Sequence, residues 1–361
     1  MTIKTIAAAL VMGCGLCSAA DSLSIQLFRT LAKETEGNMA FSPQGVENVL
    51  RTLKKYSAGD TAAELESLPM GKAPAFNINV KQADALFVAN NLPLVPGVKD
   101  AVSVNFGQSE KAAQTINDWC STHTNGLIKK LVQANDFSEL TAFVATNAIY
   151  MKEKWQFPFD PNDSFPGEFT TANGKTVPAN MMSCTAKFPA AKGEDWVAVA
   201  LPYAATAPKG ETCYFIAISP TKDIRQFATT LTDKKYSAII NRIAYTGEKT
   251  KVIMPSFTVD GSTLNLNNAL KAAGLKKIFS YADFSRLTTS QTDLYLSAVL
   301  QKCYVKVEEQ GTEAAAATAA IANYRSMPRI RTVVLDRPFI WVIGSLSANS
   351  TPLFMGIVEQ P

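Results

Sequence analysis

Apolar residues recur at helical spacing soon after residue 20. In 22–34, the positions 23, 27, 28 and 31 fall on one face of a helix. A second helix is predicted over 41–53, because Ser42 is a favourable N-cap and Pro43 suits the first helical position. This part of the chain therefore begins with two amphipathic helices.

Two further helix starts carry polar capping signals. Thr61 and Glu64 have the spacing of a capping box, and Ser109 precedes an amphipathic stretch that ends before Gly126. Helical patterns are also present over 264–275 and in part of 223–243.

Strand patterns dominate the rest of the chain. Runs of β-branched and aromatic residues predict strands over 83–91, 141–151, 196–203, 213–219, 249–261 with a bend at Pro255, and 293–309, followed by three short strands over 331–360. Helices come early and strands late, with no repeat and no low-complexity linker. This order predicts an α+β fold with several sheets in one domain.

The first twenty residues have the features of an export signal. Lys4 gives a positive start, 6–12 is a short apolar core, and Ser18, Ala19 and Ala20 are the small residues that a signal peptidase needs. We predict a signal peptide over 1–20, a mature domain over 21–361 and a secreted protein. The alternatives are an amphipathic first helix and a bacterial lipoprotein site with Cys14 as the lipidated residue. In a bacterium the protein would be periplasmic or lipid-anchored.

Composition and charge narrow the function classes. The chain has 361 residues, of which 47% are hydrophobic and 18% are charged, as expected of a globular protein with a substantial core. Its net charge of +4 is weak and dispersed, so no nucleic-acid partner is expected. Four cysteines beyond the signal are widely spaced, form no metal-like pair and are predicted to be small, partly buried residues: Cys120, Cys184, Cys213 and Cys303.

Catalytic signals are weak throughout the sequence. The single histidine, His123, lies at a predicted helix end, and no G-x-S-x-G, H-E-x-x-H or Walker-type loop accompanies it. Carboxylates are numerous, but no pattern marks a catalytic pair. We therefore predict a protein that is not an enzyme, needs no cofactor and holds no metal.

An alanine-rich segment over 307–328 lies between two strand-like segments and has few large side chains. Together with 38–50, 143–159 and 336–361, it resembles the serpin family in order and spacing, over nearly all of 21–361. The resemblance implies one domain with three β-sheets, surrounding helices and an exposed reactive-centre loop at about 309–331. In serpins, this loop is protease bait, and after cleavage its first part inserts into the main sheet as a new strand.

Insertion places direct demands on the loop hinge. The residues that the resemblance assigns to it are Glu309, Gly311, Thr312, Glu313, Ala314, Ala315, Ala316, Ala317 and Thr318. Strand side chains alternate between faces, so five hinge residues would turn to one side, and all five are small and uncharged: Thr312, Ala314, Ala316, Thr318 and Ala320. Glu313 would face solvent. A surface alanine helix is the alternative for this segment.

The usual loop length of the family places the scissile bond between Arg325 and Ser326. An arginine at this position implies trypsin-like proteases, whose specificity pocket carries a carboxylate. A slip of one residue would present Tyr324 to a chymotrypsin-like enzyme. Arg329 and Arg331 are further basic candidates, but they would lengthen the inserting segment.

Other positions match the region where the main sheet opens in serpins. Ser42 and Asn147 match the part of the sheet that separates during insertion, and Trp155 matches the tryptophan where the loop first enters. Gln301 stands where many serpins have a histidine, and its amide can both donate and accept hydrogen bonds. Plain core packing is the alternative role for these residues.

Two family helices are expected to be truncated, because 68–79 is short and 93–106 leaves little room for a helix. Some serpins bind sulfated polysaccharide there, but this chain offers only Lys72, Lys81 and Lys99, so no strong heparin site is expected. The resemblance thus implies a secreted, monomeric inhibitor that forms a covalent complex with a trypsin-like protease. The alternatives are a non-inhibitory serpin that acts as a carrier or chaperone, and an enzyme on an unrelated fold.

Overall fold

The computed structural model of the protein describes residues 21–78, 80–207, 209–290, 294–312 and 330–361. Within them the α-helices are α1 (Leu23–Glu34), α2 (Pro43–Tyr56), α3 (Gly59–Ser67), α4 (Ser109–His123), α5 (Ile224–Thr229), α6 (Asp233–Arg242) and α7 (Asn267–Ala272). The strands are β1 (Met39–Phe41), β2 (Val80–Ala89), β3 (Ala101–Val104), β4 (Phe143–Met151), β5 (Glu153–Lys154), β6 (Phe165–Thr170), β7 (Thr176–Ala186), β8 (Ala190–Lys192), β9 (Trp196–Pro202), β10 (Tyr214–Pro220), β11 (Lys249–Pro255), β12 (Phe257–Asp260), β13 (Leu264–Asn265), β14 (Ala298–Glu308), β15 (Gly311–Thr312), β16 (Ile330–Val334), β17 (Phe339–Gly344) and β18 (Phe354–Val358).

Local capping chemistry fixes the start of α2. The Ser42 hydroxyl accepts a hydrogen bond from the backbone N–H of Gly45 at 3.0 Å, and Pro43 is the first helical residue. Ser42 is fully buried and also donates its hydroxyl proton to the carbonyl oxygen of Leu353 at 2.6 Å. The predicted cap is confirmed, and it ties the start of α2 to a distant part of the chain.

The capping box predicted at Thr61 and Glu64 is wrong. Helix α3 begins two residues earlier, at Gly59, with no side-chain cap. The Thr61 hydroxyl accepts from the backbone N–H of Asp283 instead, and a Glu64 oxygen accepts from the backbone N–H groups of Lys276 and Lys277. Both side chains bond to a segment distant in sequence and not to their own helix.

Two other predicted boundaries shift in the structure. Ser109 is the first residue of α4 and not its cap, which is Gln108 without a side-chain bond. The predicted helix over 264–275 begins as a strand, because Leu264 and Asn265 pair with β14 before α7 starts. Pairing with β14 therefore prevails over the helical pattern at this point.

The main sheet has eight strands. Its path runs β3-β2-β4-β14-β15-β5, and β12 and β13 also pair with β14. The central strands β4 and β14 are parallel, with register from Val144 opposite Ala298 to Tyr150 opposite Tyr304. The seam between these two strands is where the resemblance expects insertion.

Two smaller sheets complete the fold. A six-stranded sheet has the order β1-β18-β17-β10-β9-β8, and a four-stranded sheet has the order β16-β11-β7-β6. The predicted α+β fold with three sheets in one domain is confirmed.

The central strand β4 of the main sheet is buried on both faces. All nine residues of β4 are buried, which explains its almost continuous apolar run. On one face, Ala112 and Ile116 of α4 share a hydrophobic cluster with Leu300 of β14. On the other face, Ile149 of β4 belongs to the cluster that contains Trp341 of the six-stranded sheet. The seam therefore lies in the interior of the molecule.

The expected truncations match the structure. No helix occurs in 68–78, and the only regular element in 93–106 is the short strand β3. The four cysteines of the described residues are free thiols, and three of them are buried: Cys120, Cys213 and Cys303. In the described part of the chain, no cluster of potential metal ligands and no helix long and apolar enough to cross a membrane is present.

Candidate functional site

Two side chains, those of Gln301 and Asn147, and the backbone of Ser42 meet at the middle of the seam. Gln301 of β14 lies opposite Asn147 of β4, and its Nε2 donates to the Asn147 Oδ1 at 2.6 Å. The same nitrogen donates to the Ser42 carbonyl oxygen at 3.0 Å, and the Gln301 Oε1 accepts from the Ser42 backbone N–H at 2.8 Å. We name Ser42, Asn147 and Gln301 the polar latch. All three are at most 1% exposed, so the latch stabilises closed pairing of β4 and β14 in a dry environment.

The latch extends to a carboxylate on the next strand. The Asn147 Nδ2 donates to Asp84 of β2 at 2.5 Å, and the Gln82 Nε2 donates to the other Asp84 oxygen at 2.6 Å. Asp84 lines an open cavity of about 340 Å³ and is exposed to solvent. The surrounding protein atoms nevertheless reduce the hydration of its carboxylate. This desolvation raises the pKa of Asp84, and the hydrogen bonds from Asn147 and Gln82 offset part of the rise.

Gly45 allows α2 to approach the latch closely. A Cβ atom on Gly45 would lie 2.4 Å from the Asn147 Oδ1. A larger residue would therefore push Asn147 away from Gln301, and glycine is required here for space and not for backbone conformation.

At one end of the seam a short strand already lies between the two sides. Strand β15 pairs with β14 on one side, where Thr312 lies opposite Val307, and with β5 on the other, where Thr312 lies opposite Glu153. Gly311 has φ +150°, and a Cβ there would lie 2.1 Å from the Glu153 carbonyl oxygen. Only glycine fits this approach. We name residues 309–312 the hinge start.

Thr312 points into the protein interior. Its side chain is fully buried, and its hydroxyl shares a 2.8 Å hydrogen bond with the hydroxyl of Tyr203. Burial raises the pKa of Tyr203 well above its ordinary value, so Tyr203 remains a neutral partner. The ring of Tyr203 stacks on Trp155 with centroids 4.6 Å apart. The first inward-facing side chain of the hinge thus has a buried hydrogen-bond partner in Tyr203.

Trp155 and Glu309 hold the turn between β14 and β15. The Trp155 indole donates to the Glu308 carbonyl oxygen at 2.9 Å, and its backbone N–H donates to the Gln310 carbonyl oxygen at 3.1 Å. The Glu309 Oε1 accepts from the Ser164 hydroxyl at 3.0 Å and from the Asn180 amide at 3.1 Å. These contacts fix the point at which the chain leaves β14.

The predicted site residues therefore form two groups beside β14. Ser42, Asn147 and Gln301 meet at the latch, whereas Trp155 lies at the hinge start. The two groups are about 23 Å apart along β14, measured over the seven residues from Gln301 to Glu308 at roughly 3.3 Å per residue. The Glu308 carbonyl oxygen is the one that bonds to Trp155. The remaining predicted site residues lie outside the described residues: Glu313, Ala314, Ala315, Ala316, Ala317, Thr318, Arg325 and Ser326.

Sequence reasoning missed four residues that complete these groups: Asp84, Ser164, Asn180 and Tyr203. Each is distant in sequence from its partner, for example 109 residues between Tyr203 and Thr312. No local pattern marks them, although Tyr203 ends a predicted strand and Asn180 lies within β7.

Three sheets with surrounding helices, and a main sheet in which β15 pairs with both β14 and β5, define the class of mixed α+β proteins to which this chain belongs. The family model "Serpin (serine protease inhibitor)" matches residues 18–361, and the chain belongs to the serpin family. This confirms the resemblance.

Curated relatives cover nearly the whole chain. Plasminogen activator inhibitor 1 of Neovison vison is 31% identical over 95% of this chain and 92% of its own length. Glia-derived nexin of Homo sapiens is 29% identical over 94% of this chain and 92% of its own length.

Solved serpin structures have the same fold. Native protease nexin-1 with heparin superposes with a TM-score of 0.80 at 25% identity, covering 94% of this chain and 97% of that one. The thermophilic serpin tengpin in its native state has a TM-score of 0.81 at 23% identity, covering 94% and 92%.

Proposed function

We propose that the protein is a single-use inhibitor of trypsin-like serine proteases. The protease serine attacks the carbonyl carbon of Arg325, the bond to the Ser326 nitrogen breaks, and an acyl-enzyme forms. Insertion of the hinge between β4 and β14 then carries the acylated protease along the main sheet before water can release it. The protein is consumed in this reaction, so it is not a catalyst.

The position of Thr312 carries the proposal. Thr312 is a buried strand residue between β5 and β14. In an inserted strand that continues from Thr312, alternation would turn Ala314, Ala316 and Thr318 to the same inward side and Glu313 outward. Each inward residue is small and uncharged, so insertion buries no unpaired charge. A carrier or chaperone would not need this restriction.

The names of the relatives support inhibition of proteases. Plasminogen activator inhibitor 1 and glia-derived nexin match along nearly the whole chain. Arg325 supports trypsin-like targets, because their specificity pocket pairs a carboxylate with arginine or lysine. The protein would act as a monomer after export, with 1–20 removed as signal peptide and 21–361 as the inhibitory domain, or from a lipid anchor at Cys14.

A heparin-type cofactor is not part of the proposal. The solved protease nexin-1 structure is titled as a complex with heparin, which concerns that protein. In this chain, the regions of the two truncated helices supply only Lys72, Lys81 and Lys99.

The test is a reaction with trypsin followed by a denaturing gel. We expect a complex that survives denaturation and a loss of trypsin activity equal to the complex formed. Arg325→Glu should abolish the complex because the specificity pocket then rejects the bait. Cleavage of the wild-type loop without any complex, with trypsin fully active, would instead identify a non-inhibitory serpin.

The substitution Thr312→Arg distinguishes cleavage of the bait bond from insertion of the hinge. The substitution places a charge at a fully buried position, so insertion should slow while the bait bond is unchanged. We expect trypsin to cut the variant as a substrate, with the number of inhibitor molecules consumed per protease rising at least about tenfold. Unchanged stoichiometry of inhibition would contradict the insertion argument. Thr312→Ser is the matched control and should inhibit normally.

A further inference from the structure

The polar latch is connected to solvent at one end. Asp84 of β2 is an exposed residue, and it lines the open cavity of about 340 Å³ whose wall also includes parts of α2, β3 and α4. Its partner Asn147 lies opposite it on β4 and is only 1% exposed. A chain of hydrogen bonds therefore runs from the cavity through Asn147 and Gln301 to Ser42, with an accessible carboxylate at its start.

The donor and acceptor capacity of each group gives this chain of hydrogen bonds a direction. An ionised carboxylate only accepts hydrogen bonds, and both Asp84 oxygens accept here, one from Asn147 and one from Gln82. Only the Nδ2 end of the Asn147 amide can face such a partner, so its Oδ1 end is turned towards β14. That oxygen is the acceptor that the Gln301 Nε2 needs, at 2.6 Å. Asp84 thus determines which end of the Asn147 amide faces the seam.

Gln301 cannot adapt to a reversed Asn147 amide. The Ser42 N–H donates to the Gln301 Oε1 at 2.8 Å, and the Ser42 carbonyl oxygen accepts from its Nε2 at 3.0 Å, so this backbone fixes both ends of the Gln301 amide. A reversed Asn147 would place its Nδ2 against the Gln301 Nε2, which are two donors in a buried site. Asn147 has no room to move away, because even a Cβ atom on Gly45 would lie 2.4 Å from its Oδ1. Reversal therefore breaks the hydrogen bond across the seam and leaves a buried donor unpaired.

The Asp84 carboxylate forms no ion pair with any residue that the structure describes. Two other charged residues, Lys99 and Asp100, line the same cavity. Asp100 accepts from the Lys55 ammonium at 2.7 Å and from the Tyr56 hydroxyl at 2.8 Å, so it has partners of its own. The negative charge of Asp84 therefore strengthens the bonds from the neutral amides that donate to it, since charge-assisted hydrogen bonds are roughly twice as strong as neutral ones.

We propose that Asp84 is a positioning residue for strand insertion: from outside the seam, it holds the Asn147 amide in the direction that keeps β4 bonded to β14. This inference rests on the proposed function, because it takes separation of β4 from β14 as the step that follows cleavage. Strand β2 pairs with β4, so Asp84 stays beside Asn147 when the seam opens. Asp84 therefore controls how readily the seam opens, although its own bond to Asn147 is not one that insertion has to break.

The experiment compares three replacements of Asp84. Asp84→Asn keeps a carbonyl oxygen for Asn147, Asp84→Leu offers no acceptor, and Asp84→Lys offers a donor that favours the reversed amide. Asp100→Asn is the control, because it removes a carboxylate from the same cavity whose hydrogen bonds go to Lys55 and Tyr56 and not to the latch. Amide hydrogen exchange of the intact proteins is measured separately at the β4–β14 pair and at the β2–β3 pair.

We expect exchange at the β4–β14 pair to quicken about tenfold in Asp84→Leu and further in Asp84→Lys, but less than about threefold in Asp84→Asn. The control should leave this rate unchanged. Exchange at the β2–β3 pair should stay nearly constant in all four variants, whereas a merely structural role of Asp84 in the cavity wall would raise it. Equal exchange at the β4–β14 pair in the wild type and Asp84→Lys, or equal acceleration by Asp84→Asn and Asp84→Lys, would overturn the positioning role.

A trypsin assay separates this inference from the proposed function. The wild-type protein and Asp84→Leu are stored under the same conditions and sampled over time for formation of the covalent complex with trypsin. We expect Asp84→Leu to lose this capacity sooner, by a factor similar to its change in exchange, because a seam that opens more readily takes up the uncleaved hinge. Equal lifetimes would overturn the role in insertion and leave the proposed function intact. A wild-type protein that never forms the complex would overturn the proposed function, whereas the exchange rates would still decide whether Asp84 holds the seam closed.

Discussion

Replacing Gln301 by leucine tests the polar latch most directly. The substitution keeps a similar volume but removes three hydrogen bonds, which leaves the Ser42 N–H, the Ser42 carbonyl and the Asn147 Oδ1 without their Gln301 partner. Each buried polar group left unpaired costs about 1–3 kcal/mol, so the direct loss is about 3 kcal/mol or more. The apolar surface of leucine offsets about 1–2 kcal/mol of this. We expect Gln301→Leu to lower the free energy of unfolding by about 2 kcal/mol.

The assay is urea unfolding of the intact protein and of the same protein after loop cleavage. Under the proposed function, an inserted strand separates β4 from β14, so the latch exists only in the intact form. The loss of stability should therefore be confined to the intact protein. The control Thr146→Val removes a buried hydroxyl from β4, on the other side of the seam, where its hydrogen bond within the described residues is a long one of 3.5 Å to the Ala85 carbonyl oxygen. Equal losses before and after cleavage, or a Gln301→Leu effect no larger than that of the control, would refute the reasoning.

Three further substitutions test neighbouring contacts. Tyr203→Phe removes the hydroxyl that bonds Thr312 and should weaken the hinge start by about 1 kcal/mol, seen as faster hydrogen exchange at β15, whereas unchanged exchange would contradict the contact. Gln301→His leaves one donor and one acceptor where three bonds are made, so spontaneous loss of inhibitory activity should quicken, most below about pH 6.5 where the imidazole gains a proton; identical rates at pH 5.5 and 8 would argue against this. Burial raises the pKa of Glu47 above its ordinary 4.5, so the folded protein binds this proton more tightly than the unfolded chain, and stability should fall as pH rises above 4.5. Glu47→Gln should flatten that decline in unfolding curves, and an unaltered slope would show that Glu47 is not its source.

Glu47 illustrates why part of this fold follows from local sequence and part does not. Its helix was predictable, because the Ser42 cap, Pro43 and an apolar face all occur within a few residues. The burial of the Glu47 carboxylate was not. It depends on the backbone N–H of Gly71 and the hydroxyl of Thr351, which donate to it from separate loops. Only the assembled fold shows that this carboxylate joins α2 to both loops.

The same distinction applies to the functional site. Ser42, Asn147 and Gln301 could be proposed from family resemblance, since Ser42 and Asn147 lie in stretches with a characteristic order of residues and Gln301 is eight residues before Glu309. Tyr203 and Asp84 could not, because an aromatic residue at a strand end and an aspartate in an edge region have no distinguishing local pattern. The misplaced capping box at Thr61 has the same origin, since partners more than 200 residues away take up its side chains.

The amide of Gln301 closes the middle of the seam by bonding to Asn147, whereas β15 lies at the end of the seam. A neutral imidazole offers one donor and one acceptor, whereas the amide here uses two donor bonds and one acceptor bond, all in a dry site. The glutamine therefore satisfies three buried polar groups at the seam, whereas a neutral histidine would satisfy two. Because an amide does not titrate near neutral pH, its hold on β4 and β14 stays constant with acidity. Thr312 lies opposite Val307, which is six residues and about 20 Å along β14 from Gln301, at roughly 3.3 Å per residue. Under the proposed function, further entry of the hinge would have to break the Gln301 hydrogen bonds and also the parallel pairing of β4 with β14.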